Sequence, residues 1–400
     1  MSQAQQPESD GKGTASKIDI HRLLQTMVEK GASDLHLTTD SPPQLRINGE
    51  LYPLRTQPLT GSDTETIAYS VLNDKQKKVF EETNEIDLSF RWKGASRFRA
   101  NFFRQKGHVA GALRMIPFET KPLTTLGFPS QLDALIEKPH GLILVTGPTG
   151  SGKSTTLASI IDALNERFRH HIITIEDPIE FVHNHKRSIV NQREVGADTS
   201  SFKDALRYVL RQDPDVVLIG EIRDLETMEA TMRIAETGHL ALATLHTNNA
   251  VQTIHRILDF FPASQQDMVR TQLSFCLEAV ISQHLVVRQD NTGRVMVCEV
   301  LLPNHAIRNL IREDKTHQIY SQMQMGQGQH GMITLNQSLH AHLATGAIAL
   351  DKARRYSYDP EELEQMMRHG REPTGTHAAE STGTRRGRVA SKTNKGIPRR

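Results

Sequence analysis

The chain has 400 residues, 48 of them Lys or Arg and 46 Asp or Glu, with a formal net charge of +2 and 37% hydrophobic residues. That length suits two or three domains with cores of their own, and the absence of any apolar run near the roughly 20 residues needed to span a bilayer argues against an integral membrane protein. The polar start, Met1 to Ser16, lacks the apolar stretch of a secretory signal, and Cys276 and Cys298 have neither ligand nor redox spacing, so buried thiols in a cytoplasmic protein are expected.

Residues 1–16 read as a flexible leader. Residues 17–116 read as a small α+β domain with a mostly antiparallel sheet. Ile20, Leu23, Leu24 and Met27 fall at helical spacing. Strands are expected at 34–37 and 44–47, with a hairpin turn at Asn48-Gly49, and a helix over 64–80. Ile86, Leu88, Phe90 and Trp92 alternate with polar neighbours, as in a half-buried strand. Phe98, Ala100 and Phe102 alternate likewise, which puts Arg97, Arg99 and Asn101 on the opposite face. A further strand runs over 108–115, and residues 117–122, with two prolines, read as a linker.

Residues 123–300 follow a different grammar. Apolar runs at 142–145, 172–175, 216–219 and 240–245 alternate with helical stretches. That pattern calls for an α/β domain whose parallel sheet is covered on both faces. Residues 301–370 read as its helical continuation, with Ile307, Leu310 and Ile311 at i, i+3, i+4. A glycine/glutamine turn covers 325–331, and a capping box starts at Thr334 with Gln337 as its partner. Residues 371–400 carry eight Lys or Arg against two acidic residues. A solvated, disordered tail is expected; contact with nucleic acid or an anionic membrane is the alternative.

The stretch Gly147-Pro148-Thr149-Gly150-Ser151-Gly152-Lys153-Ser154, followed by Thr155, lies between the first apolar run and a helix. Strand, glycine loop and helix form the setting of a phosphate cradle. Glycines let the backbone bring its N–H groups close to an anion, and the helix start adds its dipole. Lys153 is placed to reach the β- and γ-phosphates, and the Ser154 hydroxyl suits Mg²⁺. Parallel sheets put their ligands at the carboxyl ends of strands. Glu221 ends the run 216–219 after Gly220, where an aspartate is usual, and is placed to polarise water. Glu176 and Asp177 end the run 172–175 ahead of Pro178. Either carboxylate alone reads as a solvated strand end; both together, after a glycine loop, point to function. His239 and His246 bracket the run 240–245. His246, followed by Thr247 and Asn248, suits a sensor of phosphate or water, with a structural histidine as the equal alternative. Positive charge for the leaving phosphate could come from Lys203, Arg207 and Arg211, or from Arg97, Arg99 and Arg114; a solvated face is the competing reading of each set.

The segments GPTGSGKST (147–155), TIEDPIE (174–180), NQREVG (191–196), LRQDPDVVLIGEIRDLET (210–227) and TGHLALATLHTN (237–248) resemble, in order, motifs of the secretion/type IV pilus ATPase superfamily. The likeness runs from Ser33-Asp34-Leu35-His36-Leu37 to about Met367. Ala306 to Glu313, AIRNLIRE, resembles the twitching-motility retraction (PilT-like) branch. Relatives that extend pili or drive secretion usually carry a longer N-terminal region and a tetracysteine zinc module, which two cysteines cannot build. The resemblance implies a RecA-like P-loop core, a smaller PAS-like N-terminal domain and C-terminal helices. It further implies a homohexamer that hydrolyses ATP with Mg²⁺ between its two domains to power pilus retraction. By motif, Lys153 and Ser154 hold phosphate and Mg²⁺, and Glu221 is the catalytic glutamate. Glu176 and His246 support the γ-phosphate, with Glu176 a second candidate Mg²⁺ ligand; His239, Arg97, Arg99 and Arg114 are expected near the nucleotide. Expected partners are an inner-membrane pilus platform protein and an accessory pilus ATPase, at the cytoplasmic face of that membrane, with no nucleic acid. The readings set against this are an extension or secretion ATPase, a non-catalytic accessory ring, and a nucleic-acid translocase.

Overall fold

The computed structural model describes residues 19–47, 50–92, 96–116, 120–128, 133–326 and 331–369. The expected leader, the turn at Asn48-Gly49, residues 117–119 of the linker, most of the glycine/glutamine turn and the basic tail lie outside those residues.

The N-terminal unit begins with α1 (Ile20–Glu29), capped by the Asp19 carboxylate and buried through Ile20, Leu23, Leu24 and Met27. There follow β1 (Asp34–Leu37), β2 (Gln44–Ile47), β3 (Glu50–Pro53), α2 (Gly61–Tyr69), α3 (Asp74–Thr83), β4 (Glu85–Trp92), β5 (Ser96–Gln105) and β6 (His108–Ile116). One helix was expected over 64–80; two are found. Asn73 accepts from the Gln76 N–H, and the Gln76 side chain accepts from the Asn73 N–H, so the chain restarts there in a capping box. The six strands pair antiparallel in the order β3-β2-β1-β6-β5-β4. Ile86, Leu88, Trp92, Phe98, Ala100 and Phe102 join α1 in one core. Arg99 pairs across the sheet with Arg114, and Arg114 with Asp34, so these side chains share a face.

The second unit contains α4 (Asp133–Ile136), β7 (Gly141–Thr146), α5 (Lys153–Arg167), β8 (His171–Glu176), β9 (Ile189–Glu194), α6 (Phe202–Val209) and β10 (Val216–Ile219). It continues with α7 (Leu225–Glu236), β11 (Leu240–Leu245), α8 (Ala250–Asp259), α9 (Gln266–Cys276), β12 (Leu277–Val287) and β13 (Arg294–Leu301). Five further helices close the described chain: α10 (His305–Arg312), α11 (Ile319–Met325), α12 (Leu335–Ala344), α13 (Leu350–Tyr356) and α14 (Pro360–His369). The strand order is β13-β12-β7-β11-β10-β8-β9, parallel except for the β12–β13 hairpin.

Burial on both faces explains the unbroken apolar runs. Leu142, Leu144, Val217, Ile219, Ala241 and Ala243 face one core with α7, α8 and α9. Ile143, Val145, Val216, Leu218, Leu240 and Leu242 face the other with α5. Strands β9, β12 and β13 were not expected. Ser282, Gln283 and His284 interrupt the apolar run of β12, yet all three are buried. Helices α12 to α14 pack on the β12–β13 hairpin through Leu335, Leu339, Ala353 and Leu363. The capping box at Thr334 and Gln337 forms as expected.

Glu299 of β13 is 2% exposed. Its carboxylate accepts the Ala250 N–H at 2.7 Å and the Leu335 N–H, so α8 and α12 both begin on it. Burial pushes its carboxyl up to about 7, against the partial compensation of those two bonds. The folded chain therefore holds this proton more tightly than the unfolded chain. The stability it contributes is full below about pH 4.5 and is lost as pH rises through about 7. Glu299→Gln removes the titration at similar shape. From pH 5 to pH 8 the stability of the variant relative to wild type should rise by on the order of 2 kcal/mol, read from urea midpoints. An unchanged difference would show that Glu299 does not titrate in that window.

Candidate active site

β7 ends at Thr146, and the next six residues cross to the start of α5 at Lys153. Gly147 has φ 139°, and a Cβ there would lie 2.3 Å from the Gln283 carbonyl oxygen. The loop thus passes directly over β12, and only glycine fits. Gln283 shapes it from below. Its Nε2 donates to the Ser151 carbonyl at 2.8 Å, and its Oε1 accepts from Thr156 Oγ1 at 3.0 Å. Lys153 Nζ donates to the carbonyls of Gly147 at 2.8 Å and Pro148 at 3.1 Å. Burial lowers the Lys153 pKa, while Glu221 and Glu180 act in the opposite sense.

Above the loop lies a cleft of about 730 Å³. Thr149, Gly150, Gly152, Lys153, Ser154 and Thr155 line one wall. Glu176, Asp177, Glu221 and His246 line the other, at the carboxyl ends of β8, β10 and β11. Glu221 Oε2 accepts from Arg223 Nη2 at 2.8 Å, and Oε1 stands 3.1 Å from His246 Nε2. Burial raises the proton affinity of Glu221, but Arg223, His246 and Lys153 outweigh it and hold the carboxyl below its ordinary value. Glu176 differs. Burial pushes it up to about 7, although Thr174 Oγ1 at 2.6 Å and Gln192 Nε2 at 3.2 Å both donate to it. Gly220 is closely packed: a Cβ would stand 3.3 Å from Glu176 Cα, which leaves little room for the usual aspartate. The loop after His246 is tied down by Tyr358, whose hydroxyl donates to the Asn248 carbonyl at 2.6 Å.

The four other expected residues are placed unequally. Arg114 lines the cleft from the N-terminal unit. Its Nε donates to Asp34 Oδ1 at 2.7 Å, and its side chain remains 71% exposed, so the two terminal nitrogens are left for another partner. Arg97 instead forms a nearly buried ion pair with Glu194 of β9, which joins the two units. Arg99 stands 3.8 Å from Asp87 at the surface, and neither of these two arginines lines the cleft. His239 precedes β11, next to Gly141, whereas His246 follows it. Seven residues of extended chain put it about 20 Å from His246, so within this chain the expectation that it meets the nucleotide is corrected.

Gln283, Arg223, Gln192 and Asp34 escaped the sequence reading. Gln283 had one signal, a polar break inside an apolar run. Arg223, Gln192 and Asp34 lie inside the segments that carry the family resemblance, which assigns them no role. Gly147→Ala should fold with an unchanged far-UV spectrum yet bind nucleotide about 100-fold more weakly, measured by titration calorimetry. Undiminished binding would mean that the approach to Gln283 does not shape the cradle.

Residues 9–355 match the family described as Type II/IV secretion system protein. The chain is 47% identical over 344 residues to the type IV pilus retractation ATPase PilT of Pseudomonas aeruginosa, covering 86% of this chain and 99% of that one. It is 46% identical over 321 residues to a twitching motility protein of Neisseria gonorrhoeae, covering 80% and 86%. A crystal structure of the pilus retraction motor PilT with bound ADP superposes with a TM-score of 0.83 at 52% identity, over 87% of this chain and 100% of that one. The family match takes in the glycine loop, the three strand ends around the cleft and the arginine face of the N-terminal unit, and this chain therefore belongs to the type II/IV secretion system protein family.

Proposed function

We propose that this chain is an ATP-hydrolysing motor that powers the retraction of type IV pili. The observation that carries the reading is the cleft itself. It brings Lys153, Ser154, Glu221 and His246 together with Arg114, which belongs to a different unit. A triphosphate lying on the glycine loop would meet Lys153 and the amides at the start of α5. In this reading Glu221 orients and deprotonates the attacking water, with His246 beside it. Arg114, held at Nε by Asp34, offers its free nitrogens to phosphate from across the cleft. Nucleotide binding would then draw the two units together, and product release would let them part. The Ser154 hydroxyl would help to hold Mg²⁺, which would offset the negative charge of the phosphates. Among the described residues no cluster of three or more His, Cys, Asp or Glu forms a metal cage, and a cation carried mainly by phosphate and water needs none. Glu176, already accepting hydrogen bonds from Thr174, Gln192 and the Glu180 backbone, is the weaker second ligand.

The reading includes a homohexamer working on a pilus platform protein at the cytoplasmic face of the inner membrane, with an accessory pilus ATPase as a further partner. Among the described residues no helix is long and apolar enough to cross a membrane. Lys153→Ala and Glu221→Ala should each lower ATP turnover by about 100-fold or more, measured as phosphate release from the full chain. A deletion strain should keep surface pili that no longer retract. Bald cells would overturn retraction in favour of extension.

A further inference from the structure

Arg223 lies two residues beyond Glu221, on the turn between β10 and α7. Neither the phosphate cradle nor the Glu221–His246 pair needs it for the roles described. Its side chain lines the same cleft as Lys153 and Ser154 and is 61% exposed, so packing does not hold it in place. What holds it is charge. Nη2 donates to Glu221 Oε2 at 2.8 Å, and Nη1 stands 4.0 Å from Asp177. Glu221 in turn is faced by Arg223 on its own turn, by His246 at the end of β11 and by Lys153 at the start of α5. Both of its oxygens are therefore occupied by nitrogen neighbours. A carboxylate held this way is badly placed to take a proton from water.

A terminal phosphate on the glycine loop brings a second, more highly charged anion into the same cleft. Guanidinium pairs with phosphate through two parallel hydrogen bonds. An ion pair as exposed as Arg223–Glu221 is weak, so it yields readily to that competitor.

We propose that Arg223 is a catalytic residue that changes partner during the reaction, leaving Glu221 for the terminal phosphate of ATP. One movement then does two things. It delivers positive charge to the transferring phosphoryl group, and it frees the carboxylate that must face water. The water oxygen bonds to the γ-phosphorus as the bridging P–O bond breaks, and ADP keeps that electron pair. One water proton stays on the inorganic phosphate; the other passes to Glu221 and on to solvent. The proposal rests on the ATPase reading, yet its test does not require turnover.

The test is a double-mutant cycle on nucleotide affinity, using the full chain with ATPγS and with ADP. Glu221→Gln should release Arg223 and tighten ATPγS by about five-fold while moving ADP less than about two-fold. Arg223→Gln should weaken ATPγS by about ten-fold and leave ADP nearly unchanged. In the double variant most of the gain from Glu221→Gln should vanish. Arg223→Lys, which keeps the charge without the fork, should fall between Arg223→Gln and wild type. The proposal is overturned if Glu221→Gln tightens ATPγS equally with and without Arg223, or if Arg223→Gln weakens both nucleotides alike. A thermal melt of each variant separates misfolding from lost contacts. Wild-type protein that binds ATPγS with this pattern but never releases phosphate would refute the ATPase reading alone.

Discussion

The crossing of the glycine loop over β12 is the constraint on which the site depends. Gly147 comes so near the Gln283 carbonyl that no side chain fits between them. Thr146 and Ser282 bond side chain to side chain just beneath, at 2.7 Å. The loop is thus shaped by a neighbouring strand as well as by its own glycines. Once β7 is fixed, parallel pairing does the rest. Its register with β11, and that of β11 with β10 and β10 with β8, sets the carboxyl ends of all four strands along one edge. Glu176, Glu221 and His246 therefore arrive beside Lys153 without any long loop to carry them.

The arginines of the N-terminal unit divide their work. Arg97 is used up in an ion pair with Glu194, a near-buried bond between units. Removing either partner would strand the other charge. Arg114 is restrained at one nitrogen only, so its reach is directed while its outer nitrogens stay available. Alternation along the strands placed Arg97 and Arg99 together on one face, which was correct as geometry. It could not tell which arginine would meet a carboxylate in the other unit, because that depends on how the two units pack.

The central strands were legible because both faces are buried, which leaves the unbroken apolar runs at 142–145, 172–175, 216–219 and 240–245. β12 was not, because a strand that supports a polar loop must itself carry buried polar groups, here Ser282 and Gln283. The helix break at Asn73 was hidden by apolar spacing that continues on both sides of it. The glycine loop and Glu221 could be read from local order alone. Gln283, 131 residues downstream of Gly152, needed the fold. His239 shows the opposite failure: proximity in sequence to a site strand hid the fact that a strand has two ends.

Glu299 has a mechanical meaning beyond its titration. Two helices start from one carboxylate, and α8 begins only four residues after His246. Tyr358, between α13 and α14, grips the same short segment at Asn248. The short segment between His246 and α8 is therefore anchored twice to the carboxyl-terminal part of the chain, through Glu299 and through Tyr358, which ties the position of the imidazole beside Glu221 to the packing of those outer helices.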